Sequence, residues 1–135
     1  MITFYQFLES HVPENAIPLN IDDLYIIKTK AGDGINYTIH DNEKIIGHIS
    51  GFEQEFGQFK DMFHLYKTEI NTETRNDPKY QNKKIYKTAI QKVANLYSKG
   101  LFVNKYEASS SLRNSLKKMN TYELIEDEVL IIKPE

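Results

Sequence analysis

The sequence predicts a mixed α/β chain of the α+β kind, a mostly antiparallel central sheet of about six to seven strands flanked by helices. Three observations predict it. β-Branched and aromatic residues gather in short runs between turn signals from Leu24 to Ile70. Apolar residues then recur at helical spacing between Gln81 and Lys99. Strand-like runs return after that helix, LFVNKY and TYELIEDEVLIIKP, on either side of a serine-rich segment.

Each element has its own signal. Phe4, Tyr5 and Leu8 fall on one side of a short helix, with Val12 continuing that side until Pro13 ends it. Strands follow at about Leu24–Lys30, Ile35–His40 and Lys44–Glu53, an antiparallel meander separated by Ala31-Gly32-Asp33-Gly34 and Asp41-Asn42-Glu43. A glycine-containing loop, Glu55–Asp61, leads to a fourth strand at Met62–Ile70, with Phe63, Leu65 and Lys67 opposing Met62, His64 and Tyr66. Asn71–Lys79 is polar and carries the turn signal Asp77-Pro78. The long helix presents Ile85, Ala89, Val93 and Leu96 as a stripe flanked by Tyr86, Ile90 and Tyr97, with Lys84, Lys87, Gln91 and Asn95 opposite. Gly100 is placed to stop it. Ser109-Ser110-Ser111 supplies N-caps for a shorter helix through Leu112, Leu116 and Met119, and two strands around Glu126-Asp127 close the chain.

Composition narrows the function classes. A chain of 135 residues with 40% hydrophobic and 12% aromatic residues matches one domain over 1–135 with one substantial core. The formal net charge of -2 argues against a dedicated nucleic-acid surface, which needs an excess of Lys and Arg. Cysteine is absent, so disulfides, thiolate metal sites and cysteine nucleophiles are all excluded, which fits a cytoplasmic setting. No cationic leader precedes an apolar core, and no run reaches the ~18 residues of a membrane span. The four histidines, at 11, 40, 48 and 64, lack zinc-site spacing, so no metal site is expected.

One stretch carries more information, Pro78-Lys79-Tyr80-Gln81-Asn82-Lys83-Lys84-Ile85-Tyr86-Lys87-Thr88-Ala89-Ile90. Its place between a fourth strand and a long helix resembles the GNAT superfamily of N-acetyltransferases. That family's loop reads Gln or Arg, two variable residues, Gly, a variable residue, then Gly or Ala. Tyr80, Gln81, Lys83 and Ile85 sit where the family often has them, whereas Lys84 replaces the first glycine and Tyr86 the second small residue. The resemblance implies a GNAT-like fold and acetyl-CoA as co-substrate, bound by Gln81, Asn82, Lys83, Lys84, Ile85 and Tyr86. It also implies transfer of an acetyl group to an amine on a small molecule or protein. SSSLRNSLKKMNTY is similar to the family's second helix, but Ser115 or Leu116 occupies the region where a tyrosine often protonates the departing thiolate.

Such a loop works by aiming unpaired backbone N–H groups and the positive end of a helix dipole at a pyrophosphate. Side chains do not abolish those amides, but they fill the space before them. The amine nucleophile, with a pKa of about 10.4, needs a base. Candidates are Glu69 near the end of the fourth strand, Glu73 just beyond it, and His64 or His48; no motif distinguishes any of them, and a surface carboxylate or a partly buried histidine is the favoured reading of each. Tyr106 is a candidate donor to a ligand, with aromatic core the competing reading. The filled small-residue positions keep two rivals open: a catalytically inactive GNAT-fold binding protein, and a structural or accessory phage protein, since MITFYQFLE resembles the start of many small phage proteins.

Overall fold

The computed structural model describes residues 14–126 and 128–135. Its elements run β1 (Ile17–Pro18), β2 (Leu24–Ala31), β3 (Gly34–Asp41), β4 (Lys44–Gln54), β5 (Met62–Ile70), α1 (Thr72–Arg75), α2 (Ile85–Asn95), β6 (Leu101–Asn104), α3 (Ser110–Lys117), β7 (Tyr122–Ile125) and β8 (Val129–Ile132). The helix expected through Phe4, Tyr5, Leu8 and Val12 lies outside the described residues, as does Asp127 of the last turn.

The eight strands form one curled sheet, a half-barrel, in the order β1-β2-β3-β4-β5-β6-β8-β7. The α+β class therefore holds, but the sheet has more strands than the expected six to seven. The unforeseen one is β1, which pairs Ile17 with Ile26 and Pro18 with Tyr25. Two residues cannot display a period of two, so nothing in their pattern announces a strand. The four-residue α1 was unforeseen for a similar reason, since Thr-Glu-Thr-Arg carries no apolar stripe.

Hairpin chemistry explains the meander. Asn42 turns β3 into β4 at φ 56°, and Gly32 turns β2 into β3 at φ 62°, both in the left-handed region that Asn and Gly tolerate. A register shift between Ser50 and Gly51 passes over Tyr66, so Leu65 faces Gly51 while Lys67 faces Ser50. Lys67 consequently sides with Glu69, its ion-pair partner at 3.2 Å, rather than with Phe63 and Leu65 as simple alternation implied.

The main core lies between the sheet and α2. Ile85, Ala89, Ile90, Val93 and Ala94 of α2 are buried with Ile39, Ile49, Phe63 and Leu65. Leu96, expected in that stripe, is 46% exposed because the helix has ended at Asn95. The last turn is instead anchored by Tyr97, which donates to Glu53 at 2.9 Å and shares a 2.6 Å hydrogen bond with Tyr37. Lys28 pairs with the same carboxylate at 2.9 Å. A second, smaller cluster on the other face gathers Met62, Phe102 and Ile131. Among the described residues no helix is long and apolar enough to cross a membrane.

Candidate functional site

β5 and β6 are the sheet's parallel neighbours, and they stay together for two rungs only, Phe63 with Leu101 and His64 with Phe102. β6 then continues against β8 to Asn104, while β5 runs on to Ile70 without a strand on that side among the described residues. The strands part because β6 must follow β8, and the gap opens beneath α2 and α3. A cavity of about 250 Å³ occupies it, walled by Thr68 of β5, Tyr86 and Ile90 of α2, and Leu112 and Ser115 of α3.

The loop entering α2 lies at the mouth of this gap. Its N-cap residue, Lys84, adopts φ 56° and ψ 39°, and Asn82 has φ 61°. A lysine thus holds a left-handed conformation at the entry to α2, at a local cost of about 1–2 kcal/mol. No side chain caps α2 and no acidic residue stands in its first turn, so the first N–H groups are left to solvent or a ligand.

Two ion pairs hold this loop to the sheet. Lys83 pairs with Asp22, and Lys79 donates to Asp41 at 2.6 Å. Tyr80 also donates to Asp41, at 2.5 Å, and the carboxylate is only 8% exposed. Burial pushes the Asp41 carboxyl up, but the bonds from Lys79 and Tyr80 outweigh it and hold the pKa below the usual value. A depressed carboxylate stabilises the fold above its unfolded pKa, about 3.9, and that contribution is lost as pH falls through the folded value. Asp41→Asn should accordingly lower the melting temperature at pH 7, with the gap to the native protein closing as pH drops below about 4. A gap that stays constant in thermal melts between pH 7 and pH 2 would sink this account of the clamp.

A second groove, of about 440 Å³, lies between α1, the loop and α3. Its cations are Arg75, Lys84, Lys87 and Lys118, and among the described residues its wall contains no acidic one. Arg75, Tyr86 and Ser115 line this groove and the gap cavity alike, so the two spaces meet at the Tyr86 ring. Tyr86 is half-buried, and its hydroxyl is sealed from water with no hydrogen bond of normal geometry. Burial pushes its pKa up to about 12, against smaller lowering effects from Arg75 and Thr68 nearby. Thr74, on the groove's α1 wall, is 2% exposed and its hydroxyl also has no partner. Lys84 and Lys87 further edge a basin of about 200 Å³ with Lys92, Asn120 and Glu135.

The other residues singled out in the sequence are distributed as follows. Gln81 lines the groove and donates to the Arg75 carbonyl at 3.4 Å, whereas Ile85 is core at 4% exposure. Glu69 pairs with Lys67, and His48 lies 3.6 Å from it across the β4–β5 rung. Glu73 is exposed in the first turn of α1. Tyr106 is not core but 81% exposed on the turn after β6. His64 pairs with Glu107 of that turn at 3.2 Å. Of the two α3 residues weighed, Leu116 is fully buried and Ser115 faces both cavities. Thr74, Arg75, Lys118 and Glu107 were missed because they reach the site from three segments outside the loop, α1, the end of α3 and the turn after β6. Lys87 did carry a signal, one turn beyond Lys84 on the same helix. Among the described residues no three His, Asp or Glu converge as a metal site.

No protein-family model matches the chain, and no curated protein matches it in sequence. Among solved structures it is similar to a protein of unknown function from Aquifex aeolicus VF5, with a TM-score of 0.50 and 13% identity, covering 100% of this chain and 79% of that one. That likeness concerns the fold alone.

Proposed function

We propose that this chain is a GNAT-like acyltransferase that moves an acetyl group from acetyl-CoA to a primary amine. The observation that carries the reading is the parting of β5 from β6 directly below an uncapped helix start, with a cationic groove leading into the gap. A thioester on a long, amide-bearing arm with a diphosphate at one end fits such a space. The arm's amides can hydrogen-bond to the free edge of β5 as an added strand does. The phosphates meet the first-turn N–H groups of α2, with Lys84 and Lys87 beside them.

In the reaction the amine lone pair attacks the thioester carbonyl, a C–N bond forms, and the C–S bond breaks with its electron pair leaving on sulfur. The ammonium proton goes to a base and the thiolate takes up a proton, giving an amide and free thiol. Glu69 with His48, and His64 with Glu107, are the carboxylate–imidazole pairs on the face of β5 turned away from α2. Tyr106 is an exposed donor on the Glu107 turn, and Ser115 and Tyr86 are among the hydroxyls that line the cleft, with Thr68, Ser109 and Ser111.

A second reading, a GNAT-fold protein that binds its ligand without turnover, is favoured by the Tyr86 ring standing between the two cavities. Thiol release from acetyl-CoA, followed with and without a mixture of primary amines, separates the two. Amine-dependent release is expected. Release at the same rate without amine would mean hydrolysis and overturn amine transfer, and none with any amine would leave only the binding protein.

A further inference from the structure

We infer that the acceptor is an ammonium carried on an aromatic or other apolar body, bound on the sheet face turned away from α2, at the point where β5 and β6 begin to part. This rests on the transfer reading above for the side from which the acyl group arrives. Its evidence is a different set of residues.

Phe52, His64 and Phe102 form one rung across β4, β5 and β6, so their side chains share a face. That rung is also the last one joining β5 to β6. The face is opposite the helices, since Met62 and Phe102 belong to the small cluster while Phe63 and Leu65 belong to the core under α2. His64 lies flat on Phe102, with ring centroids 4.6 Å apart and planes 11° from parallel. Phe52 stands 6.4 Å from His64 on the other side, and Tyr66 meets Phe52 edge-on at 6.2 Å. Phe52 and Tyr66 keep 39% and 60% of their surface in solvent. The interior of this cluster is packed, but its outer rings are open.

The charge is supplied by Glu107. Its carboxylate is 45% exposed and touches His64 Nε2 at 3.2 Å, bridging β5 and the turn after β6. A half-exposed carboxylate beside open aromatic faces is a cation site with an apolar floor, because ring faces and carboxylate both attract an ammonium while the rings accept its carbon body. An amine held there sits at the closed end of the gap, where a thioester entering from the groove side terminates. Glu69 is farther along β5, on the rung of His48 rather than that of Phe52, and pairs with Lys67, so it does not stand beside the same aromatic floor.

Calorimetric titration of the full chain with phenethylamine, with ethylamine as control and acetyl-CoA as a separate ligand, tests this. Phenethylamine is expected to bind about tenfold or more tighter than ethylamine, through the buried ring. Glu107→Gln should weaken phenethylamine about tenfold and leave acetyl-CoA affinity unchanged. Phe52→Leu should reduce the advantage of phenethylamine over ethylamine without removing the ethylamine contact. Equal binding of the two amines, or an unaltered phenethylamine affinity in Glu107→Gln, overturns the inference. If acetyl-CoA binds in that case the transfer reading survives it, whereas failure of acetyl-CoA alone overturns that reading and leaves the amine ratio to stand by itself.

Discussion

Gly100→Ala should lose about 3 kcal/mol or more of stability, the combined result of backbone strain and overpacking. Gly100 turns the chain from α2 into β6 at φ +88°, a conformation that L residues rarely adopt. A Cβ added there would lie 2.1 Å from the Ile132 carbonyl oxygen and 3.1 Å from the Lys133 Cα, backbone atoms of and just beyond β8 that have no rotamer to escape into. Relief would push β6 away from β8 or rotate the turn. The Gly100 carbonyl also accepts from the Phe63 N–H at 3.1 Å, at the start of the short parallel pairing. The substitution thus acts on the geometry that makes the gap as well as on the fold. A fall of about 10 °C in melting temperature is expected for a domain of this size. A fall under 2 °C, roughly half a kcal/mol, would mean that the turn is not the tight junction described.

Tyr86→Ala should separate stability from binding. The ring is half-buried, so its removal is expected to cost about 2 kcal/mol, less than the 3–5 kcal/mol of a fully buried aromatic. The same change joins the groove to the gap cavity, which the ring now divides, and acetyl-CoA affinity should rise several-fold because the ligand no longer displaces a side chain. Tyr86→Phe supplies the control. It removes a hydroxyl that is sealed from water and makes no hydrogen bond of normal geometry among the described residues, with Thr68 and Arg75 nearby, and should change stability by no more than about 1 kcal/mol while leaving the partition in place. Should Tyr86→Ala weaken acetyl-CoA binding, the ring is part of the binding wall rather than an obstruction.

The strands were legible from their β-branched and aromatic runs between turn signals, and in β3 from period as well, since its residues alternate between intermediate and buried along its whole length, whereas β2 passes from buried to exposed without alternating. β5 was read with the right ends, but the face of Lys67 was not, because the irregularity opposite Gly51 changes alternation without changing composition. The start of α2 was placed four residues too early. Gln81 to Lys84 have helix-compatible side chains, yet Asn82 and Lys84 take left-handed conformations, and ties to Asp22 and Asp41 hold the loop. Those partners are 61 and 38 residues away in sequence, beyond any local pattern.

The site was legible in part. The loop from Gln81 to Tyr86 leads into α2, and Tyr86, read as flanking the apolar stripe, is half-buried and lines both cavities. The positive groove was not legible, since its charge comes from Arg75, Lys84, Lys87 and Lys118 on three different elements of a chain whose net charge is -2. Composition averages over the whole surface and cannot report such local convergence. Lys83, singled out in the loop by sequence, is engaged with Asp22, so the positive charge that faces the groove comes from Lys84 and Lys87 instead. None of the four groove cations forms an ion pair among the described residues.

Calorimetric titration with acetyl-CoA, of the native chain and of a Lys84→Glu/Lys87→Glu variant, tests the cleft most directly. The account predicts saturable one-to-one binding to the native chain and a loss of about a hundredfold in the variant, from two charged contacts removed and reversed. No binding at millimolar acetyl-CoA, or binding that the two charge reversals leave unchanged, would contradict it.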